Sequence, residues 1–396
     1  MREVLSRKTV GLKPSGIRKF FDIVNTMEGA ISLGVGEPDF ETPWFIRDEG
    51  IYSLERGRTF YTSNAGLREL KVEVSHYLER RFGVVYDPDK EVTITVGGSE
   101  GIDMACRAML NPEDEVIIPQ PSYVSYEPCV ILAGAKPVIL EMKEEDRFKL
   151  TADALREKIT PNTKLLVLPF PNNPTGSVMT LEELHEIAEV VIRNDLYVLS
   201  DEIYTELTYT GEAPASITQI PGMKERTILI NGFSKAYAMT GWRLGYACGP
   251  REIIRQMTKV HQYAIMCAPT TSQYAAVAAL KKGDEDVARM RESYNQRRRF
   301  VLERLKEMRL PCFEPEGAFY AFPNISRFGM TSEDFATELL KAEKVAVVPG
   351  NAFGDSGEGF IRISYAYSLK QLQEALRRIE RFVNALDAGN KGGEKC

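Results

Sequence analysis

From Glu91 onwards, short runs of β-branched and other apolar residues alternate with stretches whose apolar positions recur every three or four residues. This alternation predicts strands that alternate with helices, and therefore a mostly parallel sheet with helices on both faces. Six runs have the length of buried strands: Val92 to Val96, Glu115 to Pro119, Pro137 to Leu140, Leu165 to Phe170, Leu196 to Ser200 and Thr227 to Ile230. The predicted fold class is α/β.

A seventh run, Leu244 to Cys248, follows Thr227 to Ile230 after a connection that is too short for a crossover helix. Parallel neighbours need about a dozen or more connecting residues. We therefore expect a seven-stranded sheet in which this run lies antiparallel to the others.

Amphipathic stretches predict the helices. Leu67 to Phe82 carries apolar residues along one face, and Glu100 to Leu110 follows the first strand of the sheet. The stretch Glu252 to Leu280 is interrupted around Cys267 to Pro269. A long, charged helix is expected over Asp284 to Met308, where it would link two domains.

The C-terminal part of the chain predicts a smaller α+β domain. Its β-rich runs lie between helical stretches: Ala318 to Phe322, Val345 to Val348 and Gly359 to Tyr365. An amphipathic N-terminal arm, Leu12 to Val24, is expected to complete this domain. The predicted division is a large domain over residues 46–285 and a small domain over residues 1–45 and 286–396. The polar, Gly-rich segment Ala388 to Cys396 predicts a disordered tail.

Composition and charge exclude several classes of protein. The formal net charge of -6 argues against a nucleic-acid surface, which needs clustered positive charge. No stretch has the length and apolarity of a membrane span or a secretory leader. The six cysteines form no CxxC pair and predict free thiols in a reducing compartment, so the cytoplasm is expected. The three histidines have no metal-ligand spacing, and no metal site is predicted.

Residues able to bind a ligand follow the predicted strands. In open α/β sheets, ligands bind outside the carboxyl ends of the strands. Taken singly, each of these residues has a structural explanation as part of a turn, a helix start or an ordinary packed side chain. Their coincidence at successive strand ends favours a binding site instead. The strand ends present backbone N–H groups at a helix start, an aromatic ring, an amide, a carboxylate with a phenol, and an amine: Gly98 and Ser99, Tyr123, Asn173, Asp201 and Tyr204, and Lys235.

Lys235 and Arg243 suggest the chemistry of this site. Lys235 lies between two runs predicted to be buried strands, and desolvation there would lower the pKa of its amine and make it nucleophilic towards a carbonyl. Arg243 offers a planar fork for an anion such as phosphate. Together they predict a Schiff base with a phosphorylated aldehyde.

The pattern Ser234-Lys235, six residues and then Trp242-Arg243-Leu244-Gly245 resembles the cofactor-lysine signature of the pyridoxal-phosphate-dependent aminotransferases related to aspartate aminotransferase. The resemblance extends from about Leu12 to Val383. It implies a homodimer that moves an amino group from an L-amino acid to a 2-oxo acid such as 2-oxoglutarate, through an internal aldimine on Lys235.

The resemblance also implies a role for each matching residue. Lys235, Asp201 and Tyr204 resemble the catalytic set, in which Asp201 pairs with the pyridine nitrogen. Arg362 resembles the arginine that binds the substrate carboxylate, assisted by Asn173 and the backbone near Gly36; from the burial rule alone, an internal salt bridge explains it equally well. Asn173 and Tyr204 are similar to the pair that binds the phenolic oxygen, and Tyr123 to the stacked ring. The remaining matches resemble the phosphate site: Gly98, Ser99, Ser234, Arg243 and, from the neighbouring subunit, Tyr61.

Three departures bear on the phosphate site and on specificity. Gly232 stands where many relatives have a phosphate-contacting serine. Gln262 to Ala268 lacks the arginine that aspartate enzymes use for a distal carboxylate, and Ser99 stands where some bacterial relatives have a lysine. Because Tyr263, Ile265 and Met266 suit an apolar side chain, the expected specificity is aromatic or broad.

Two alternatives to an aminotransferase stay open at this point. A carbon–sulfur β-lyase of the same fold would use the same residues and the same cofactor. A non-catalytic binding module, or the effector domain of a transcription regulator, is less favoured because both Lys235 and Asp201 are retained. The chain also starts almost directly in the enzyme-like arm, which leaves no room for a DNA-binding domain before it.

Overall fold

The computed structural model describes residues 4–12 and 27–393, and the predicted arm over Leu12 to Val24 lies outside these residues except for Leu12. The strands are β1 Ile31–Ser32, β2 Val92–Thr95, β3 Glu115–Gln120, β4 Lys136–Glu141, β5 Thr163–Leu168, β6 Tyr197–Asp201, β7 Thr227–Gly232, β8 Gly245–Cys248, β9 Tyr320–Ala321, β10 Val345–Ala346, β11 Val348–Pro349 and β12 Ile361–Ser364. The α-helices are Arg7–Val10, Trp44–Glu55, Arg68–Phe82, Gly97–Met109, Tyr126–Ala133, Ala152–Lys158, Leu181–Arg193, Arg251–Ala264, Thr270–Lys282, Asp284–Glu307, Ser332–Glu343 and Leu369–Gly393.

The main sheet has seven strands in the order β2-β8-β7-β6-β5-β3-β4. Strand β8 runs antiparallel to both of its neighbours, β2 and β7, while the other pairs are parallel. Both the predicted seven-stranded sheet and the predicted direction of its last strand are therefore confirmed.

Helices cover both faces of the sheet because its central strands are apolar on both sides. In β7, Ile228 and Ile230 pack on one face with residues of the Gly97–Met109 and Arg251–Ala264 helices. Leu229 points to the opposite face, where it packs with residues of the Arg68–Phe82 and Thr270–Lys282 helices. This alternation is the two-residue period of a strand.

The C-terminal part forms smaller sheets beside the main one. Strands β11, β12 and β9 form an antiparallel sheet of three, and β1 pairs with β10 in parallel. The pairing of β1 with β10 joins the N-terminal segment to the C-terminal part, and a buried cluster centred on Phe319, Phe335 and Ile361 fills the space beneath.

Two expectations about local structure were wrong. The chain is helical to Gly393 instead of being disordered from Ala388, because the helix that begins at Leu369 continues through this segment; residues 394–396 lie outside the described part. The Gly97–Met109 helix begins at Gly97, three residues before the predicted start. In the described residues, none of the helices combines the length and apolarity that a membrane span requires.

Candidate active site

A cavity of about 360 Å³ lies at the carboxyl ends of the central strands of the main sheet. It is bordered on one side by the loop after β1 and by residues of β9 and β12. Eleven of the twelve predicted site residues line it: Gly36, Gly98, Ser99, Tyr123, Asn173, Asp201, Tyr204, Ser234, Lys235, Arg243 and Arg362. Residues dispersed over the whole chain therefore converge on one space, as the strand-end argument predicts.

Lys235 lies in the turn that follows β7 and extends its amine into the cavity. Its Nζ donates to the carbonyl oxygen of Gly36 at 2.6 Å and lies 5.8 Å from the centre of the Tyr204 ring. Burial, reinforced by the positive charges of Arg362 and Arg243, lowers the pKa of Lys235 to about 8. The amine is thus much closer to its neutral, nucleophilic form at physiological pH than an exposed lysine.

Asp201 is the last residue of β6 and is buried at the floor of the cavity. Its Oδ2 accepts a hydrogen bond from the Tyr126 hydroxyl at 2.7 Å, and its Oδ1 accepts from the backbone N–H of Ile203 at 3.2 Å. Burial raises the pKa of this carboxyl, while the hydrogen bond from Tyr126 opposes the rise. A cationic ring nitrogen placed here would compensate the buried charge.

Arg362 in β12 is buried without a carboxylate partner among the described residues. Its Nη1 donates to Asn173 Oδ1 at 2.8 Å and its Nη2 to the carbonyl oxygen of Gly34 at 2.5 Å, while its Nε has no hydrogen-bond partner. The internal salt bridge considered from the sequence is therefore absent from the described part of the chain. A buried guanidinium that lacks a counter-ion is suited to an anionic ligand.

At the opposite end of the cavity, the first turn of the Gly97–Met109 helix lies next to Arg243. The first N–H groups of a helix have no partner within it and favour an anion. A Cβ at Gly97 would lie 2.8 Å from Nη2 of Arg243, and a Cβ at Gly245 would lie 2.7 Å from the backbone carbon of Gly97. Glycine at both positions lets the helix start, β8 and Arg243 come together as one anion-binding end.

Among the lining residues that were not predicted from the sequence, four carry polar side-chain groups: Tyr126, Tyr320, Glu37 and Thr240. Thr240 Oγ1 donates to Glu37 Oε2 at 3.2 Å, which joins two loops at the cavity. Tyr126 begins a helix three residues after Tyr123, and the two rings contact edge to face with their centres 5.6 Å apart. Its closeness in sequence to a predicted site residue is a signal for it. Tyr320 lies inside an apolar run and carries no such signal.

Tyr61 does not line this cavity. Its side chain is 79% exposed on the surface of the chain, near Phe60 at 80% and Tyr263 at 83%. Asn64 Nδ2 donates to the carbonyl oxygen of Met266, which brings the Tyr61 segment and the Tyr263 segment together. Tyr263, Ile265 and Met266 are likewise exposed and do not line the cavity of their own chain.

Comparison with known proteins agrees with this geometry. Residues 28–379 match the family model for aminotransferase class I and II. The Bacillus subtilis protein YugH, which is named as an aminotransferase, is 55% identical over 97% of this chain and 99% of its own length. The aromatic-amino-acid aminotransferase 2 of Thermococcus litoralis is 45% identical over 95% of this chain and 97% of its own. The structure of Thermus thermophilus aspartate aminotransferase with maleate superimposes with a TM-score of 0.92 at 37% identity, covering 96% of this chain and all of the other.

The fold and the site thus define an amino-group-transferring enzyme of the α/β class. The chain belongs to the class I and II aminotransferases. Its cofactor is pyridoxal phosphate, as in the aminotransferases of this family.

The residues of the cavity fit this cofactor. The buried amine of Lys235 suits an aldehyde, and the helix start beside Arg243 suits a phosphate. Asp201 suits a protonated ring nitrogen. The Nε of Arg362 has no hydrogen-bond partner in the described residues and would suit a second anion.

Proposed function

We propose that this enzyme transfers the amino group of an aromatic or other apolar L-amino acid to a 2-oxo acid such as 2-oxoglutarate. The observation that carries the proposal is the convergence of the Lys235 amine, the Asp201 carboxylate and the Arg362 guanidinium on one cavity. Each supplies a group that the reaction needs, and the three come from distant parts of the chain.

In this proposal, the protein holds pyridoxal phosphate at five points. Lys235 would bond to its aldehyde carbon, and Asp201 would pair with its ring nitrogen. Tyr204 and Asn173 bind the ring oxygen, and Tyr123 stacks on the ring. The phosphate is bound by Gly98, Ser99, Ser234 and Arg243 and by Tyr61 of a second copy of the chain. Once bound, the cofactor supplies an electron sink that stabilises negative charge at the substrate Cα.

Lys235 moves the proton. With pyridoxal phosphate bound, the Nζ of Lys235 would be the base that takes the proton from the substrate Cα and returns it during the transfer. A pKa of about 8 suits both halves of this transfer, because the amine accepts and releases a proton near neutral pH. Arg362 keeps the substrate carboxylate fixed, so that the Cα–H bond faces Lys235.

The preference for an apolar side chain rests on the lining of the cavity. Among the described lining residues, the cations are Lys235, Arg243 and Arg362, and all three already have roles. No further cation of this chain is left to pair with a distal carboxylate, so the distal carboxylate of aspartate or of 2-oxoglutarate gains no ion pair here. Tyr126, Tyr320 and Ile102 offer apolar surface instead.

We also propose that the enzyme is a homodimer. Phe60, Tyr61, Tyr263, Ile265 and Met266 lie on joined segments and are all exposed in the single chain, which is typical of an interaction surface. A second copy on this surface would bring Tyr61 to the partner's phosphate end. It would also bring Tyr263 and its neighbours towards the partner's substrate.

A cytoplasmic location is part of the proposal and is supported by the cysteines. Cys106, Cys129, Cys248, Cys267 and Cys312 are free thiols, and Cys106 and Cys248 are buried. Free thiols persist in a reducing compartment.

A half-reaction panel tests the function. The loaded enzyme is mixed with single amino acids, and the change of the cofactor to its amine form is followed by absorbance; 2-oxoglutarate or phenylpyruvate is then added. We expect phenylalanine, tyrosine and leucine to react faster than aspartate, with reversal by either acceptor. Release of pyruvate and ammonia from cysteine-type substrates, without formation of the amine form, would instead identify a β-lyase.

A further inference from the structure

Tyr320, which no sequence motif singles out, contacts three parts of the active site at once. It lies in β9, paired antiparallel with β12, and is 1% exposed. Its hydroxyl lies 2.7 Å from the hydroxyl of Tyr204, and its ring centre lies 4.3 Å from the guanidinium carbon of Arg362. Tyr320 therefore connects the residue proposed to bind the ring oxygen of the cofactor with the residue proposed to bind the substrate.

Counting hydrogen-bond donors gives a direction to the contact between Tyr320 and Tyr204. Burial raises the pKa of both phenols, so both keep their protons at neutral pH. Each hydroxyl has one proton to donate, and the bond between them uses only one of the two. If Tyr204 donates into the cavity, its oxygen must accept the proton of Tyr320.

The aromatic ring of Tyr320 has a separate effect on Arg362. Phe353 lies on the guanidinium as well, with its ring centre 4.8 Å from the same carbon. Cation–π contacts with two rings fix the plane of the guanidinium, and such contacts are strongest where water is excluded. With Nη1 bound to Asn173 and Nη2 bound to Gly34, the orientation of Arg362 is fully specified.

Gly36 provides a third contact. A Cβ at Gly36 would lie 2.5 Å from the Tyr320 hydroxyl, and the carbonyl of Gly36 accepts the hydrogen bond from Lys235. The hydroxyl thus lies against the segment that holds the lysine. The charged or titratable groups around the two phenols are Arg362, Asp201, Lys235 and Tyr123.

We propose that Tyr320 is a positioning residue that donates its hydrogen bond to Tyr204, so that the Tyr204 proton points at the cofactor, and that holds Arg362 in plane for the substrate carboxylate. This inference rests on the proposed function, since it takes from there the roles of Tyr204 and Arg362. It assigns separate tasks to the hydroxyl and the ring, and the two can be removed one at a time.

Tyr320→Phe removes only the hydroxyl and tests the relay. The ring oxygen of the bound cofactor otherwise accepts a hydrogen bond from the nitrogen that joins the cofactor to Lys235. A donor at this oxygen weakens that hydrogen bond, so the nitrogen loses its proton at a lower pH. Losing the Tyr320 donor weakens Tyr204 as a donor and should raise the pH midpoint of the cofactor absorbance by roughly half a unit. Tyr204→Phe should raise the pH midpoint further, and the double variant Tyr204→Phe, Tyr320→Phe should have the same midpoint as Tyr204→Phe alone.

Tyr320→Leu removes the ring as well and tests the contact with Arg362. We expect the KM for the amino acid to rise about tenfold beyond its value in Tyr320→Phe, with a smaller change in kcat. Tyr294→Phe is the matched control, because Tyr294 is equally buried and its hydroxyl has no hydrogen-bond partner in the described residues. That control should leave the midpoint and the KM unchanged.

Several outcomes would overturn the inference. An unchanged midpoint in Tyr320→Phe refutes the relay, and equal KM values in Tyr320→Phe and Tyr320→Leu refute the role of the ring. A lower melting temperature of the cofactor-free variants without either change would show a structural role only. If the wild-type protein fails to bind pyridoxal phosphate or to titrate at all, the proposed function fails instead, so the two failures are distinguishable.

Discussion

At the scale of single residues, the site works by placing polar groups where their ordinary partners are missing. Lys235 has a carbonyl as its partner in place of a carboxylate, and Arg362 has an amide and a carbonyl. Asp201 has a phenol and a backbone N–H. Each group can therefore bind a ligand that supplies an opposite charge or a reactive carbonyl.

The lowered pKa of Lys235 predicts the pH dependence of cofactor attachment. Only the neutral amine attacks an aldehyde, so the attachment rate in the cofactor-free protein should rise with pH and reach half of its plateau near pH 8, instead of near the 10.5 of an ordinary lysine. Stopped-flow absorbance measures this rate. In Arg362→Met a neighbouring positive charge is lost, so the midpoint should move to higher pH; a wild-type midpoint above pH 10 contradicts the account.

Tyr126 predicts a second effect at this scale. Its hydroxyl donates a hydrogen bond to Asp201 and opposes the rise in the pKa of that carboxyl. Tyr126→Phe should therefore leave Asp201 less ionised and make it a poorer partner for the ring nitrogen of the cofactor. We expect cofactor affinity to fall about tenfold, which equilibrium titration measures. The same substitution at Tyr365, a buried tyrosine of another cluster, should leave the affinity unchanged. Equal affinities of Tyr126→Phe and wild type for the cofactor would contradict this role of Tyr126.

At the scale of elements, the anion-binding end depends on how closely a helix start can approach a strand. Gly97 has a φ of +75°, in the left-handed region that favours glycine, and lies against both Arg243 and Gly245. A side chain at Gly97 would not collide with rigid backbone there, because Arg243 can move away. The substitution would then weaken ligand binding.

Gly97→Ala and Gly57→Ala separate backbone strain from this contact. Gly57 has a similar φ of +68° but no atom within 4 Å of an added Cβ. Both variants should lose about 1–2 kcal/mol in free energy of unfolding through backbone strain. Only Gly97→Ala should also lose affinity for pyridoxal phosphate, by about tenfold, because Arg243 is displaced. Equal affinities of the two variants would contradict the proposed phosphate site.

The elements also show how far the sequence determines the site. The direction of β8 follows from the length of one connection, and the residues after β2, β3, β5, β6 and β7 follow from strand periodicity. Tyr320 and Arg362 instead meet the cavity through strands that belong to another sheet. No local sequence pattern predicts where that sheet packs. Tyr320 was therefore missed, and Arg362 was predicted only from the family resemblance.

Strand periodicity alone leaves open whether a strand end leads into a turn or into a helix. After β6, residues 203–206 form a turn, and Tyr204 and Glu206 contact partners on other elements. The Gly97–Met109 helix begins three residues earlier than predicted, at the glycine where Arg243 and Gly245 of β8 approach the helix start. The division into domains at residues 45 and 285 stays a prediction.

At the scale of the whole molecule, the single chain leaves an apolar surface exposed and one predicted site residue unused. Tyr61 and Phe60 lie on that surface with Tyr263 and Met266. Large apolar side chains joined on one surface are typical of a protein–protein interface. Two copies joined through this surface by a two-fold axis would each lend Tyr61 to the other.

Hybrid dimers test this assembly. Tyr61→Ala and Lys235→Ala should each have low activity alone. After unfolding and refolding together in equal amounts, half of the dimers are hybrids and one of their two sites is intact, so activity should recover to about a quarter of the wild-type value. Analytical ultracentrifugation checks that each variant is dimeric. Dimers without any recovery would place Tyr61 in its own site or in none.

The central claim is that Lys235, and no other lysine, bonds the cofactor in a site built from the strand ends of one sheet. The most direct measurement is borohydride reduction of the loaded enzyme, which fixes the bond between carbon and nitrogen, followed by peptide mass spectrometry. We predict that the reduced cofactor is found on the peptide that contains Lys235, with one per chain, and that Lys235→Ala carries none. Cofactor fixed on a different lysine, or undiminished labelling of Lys235→Ala, would contradict the account.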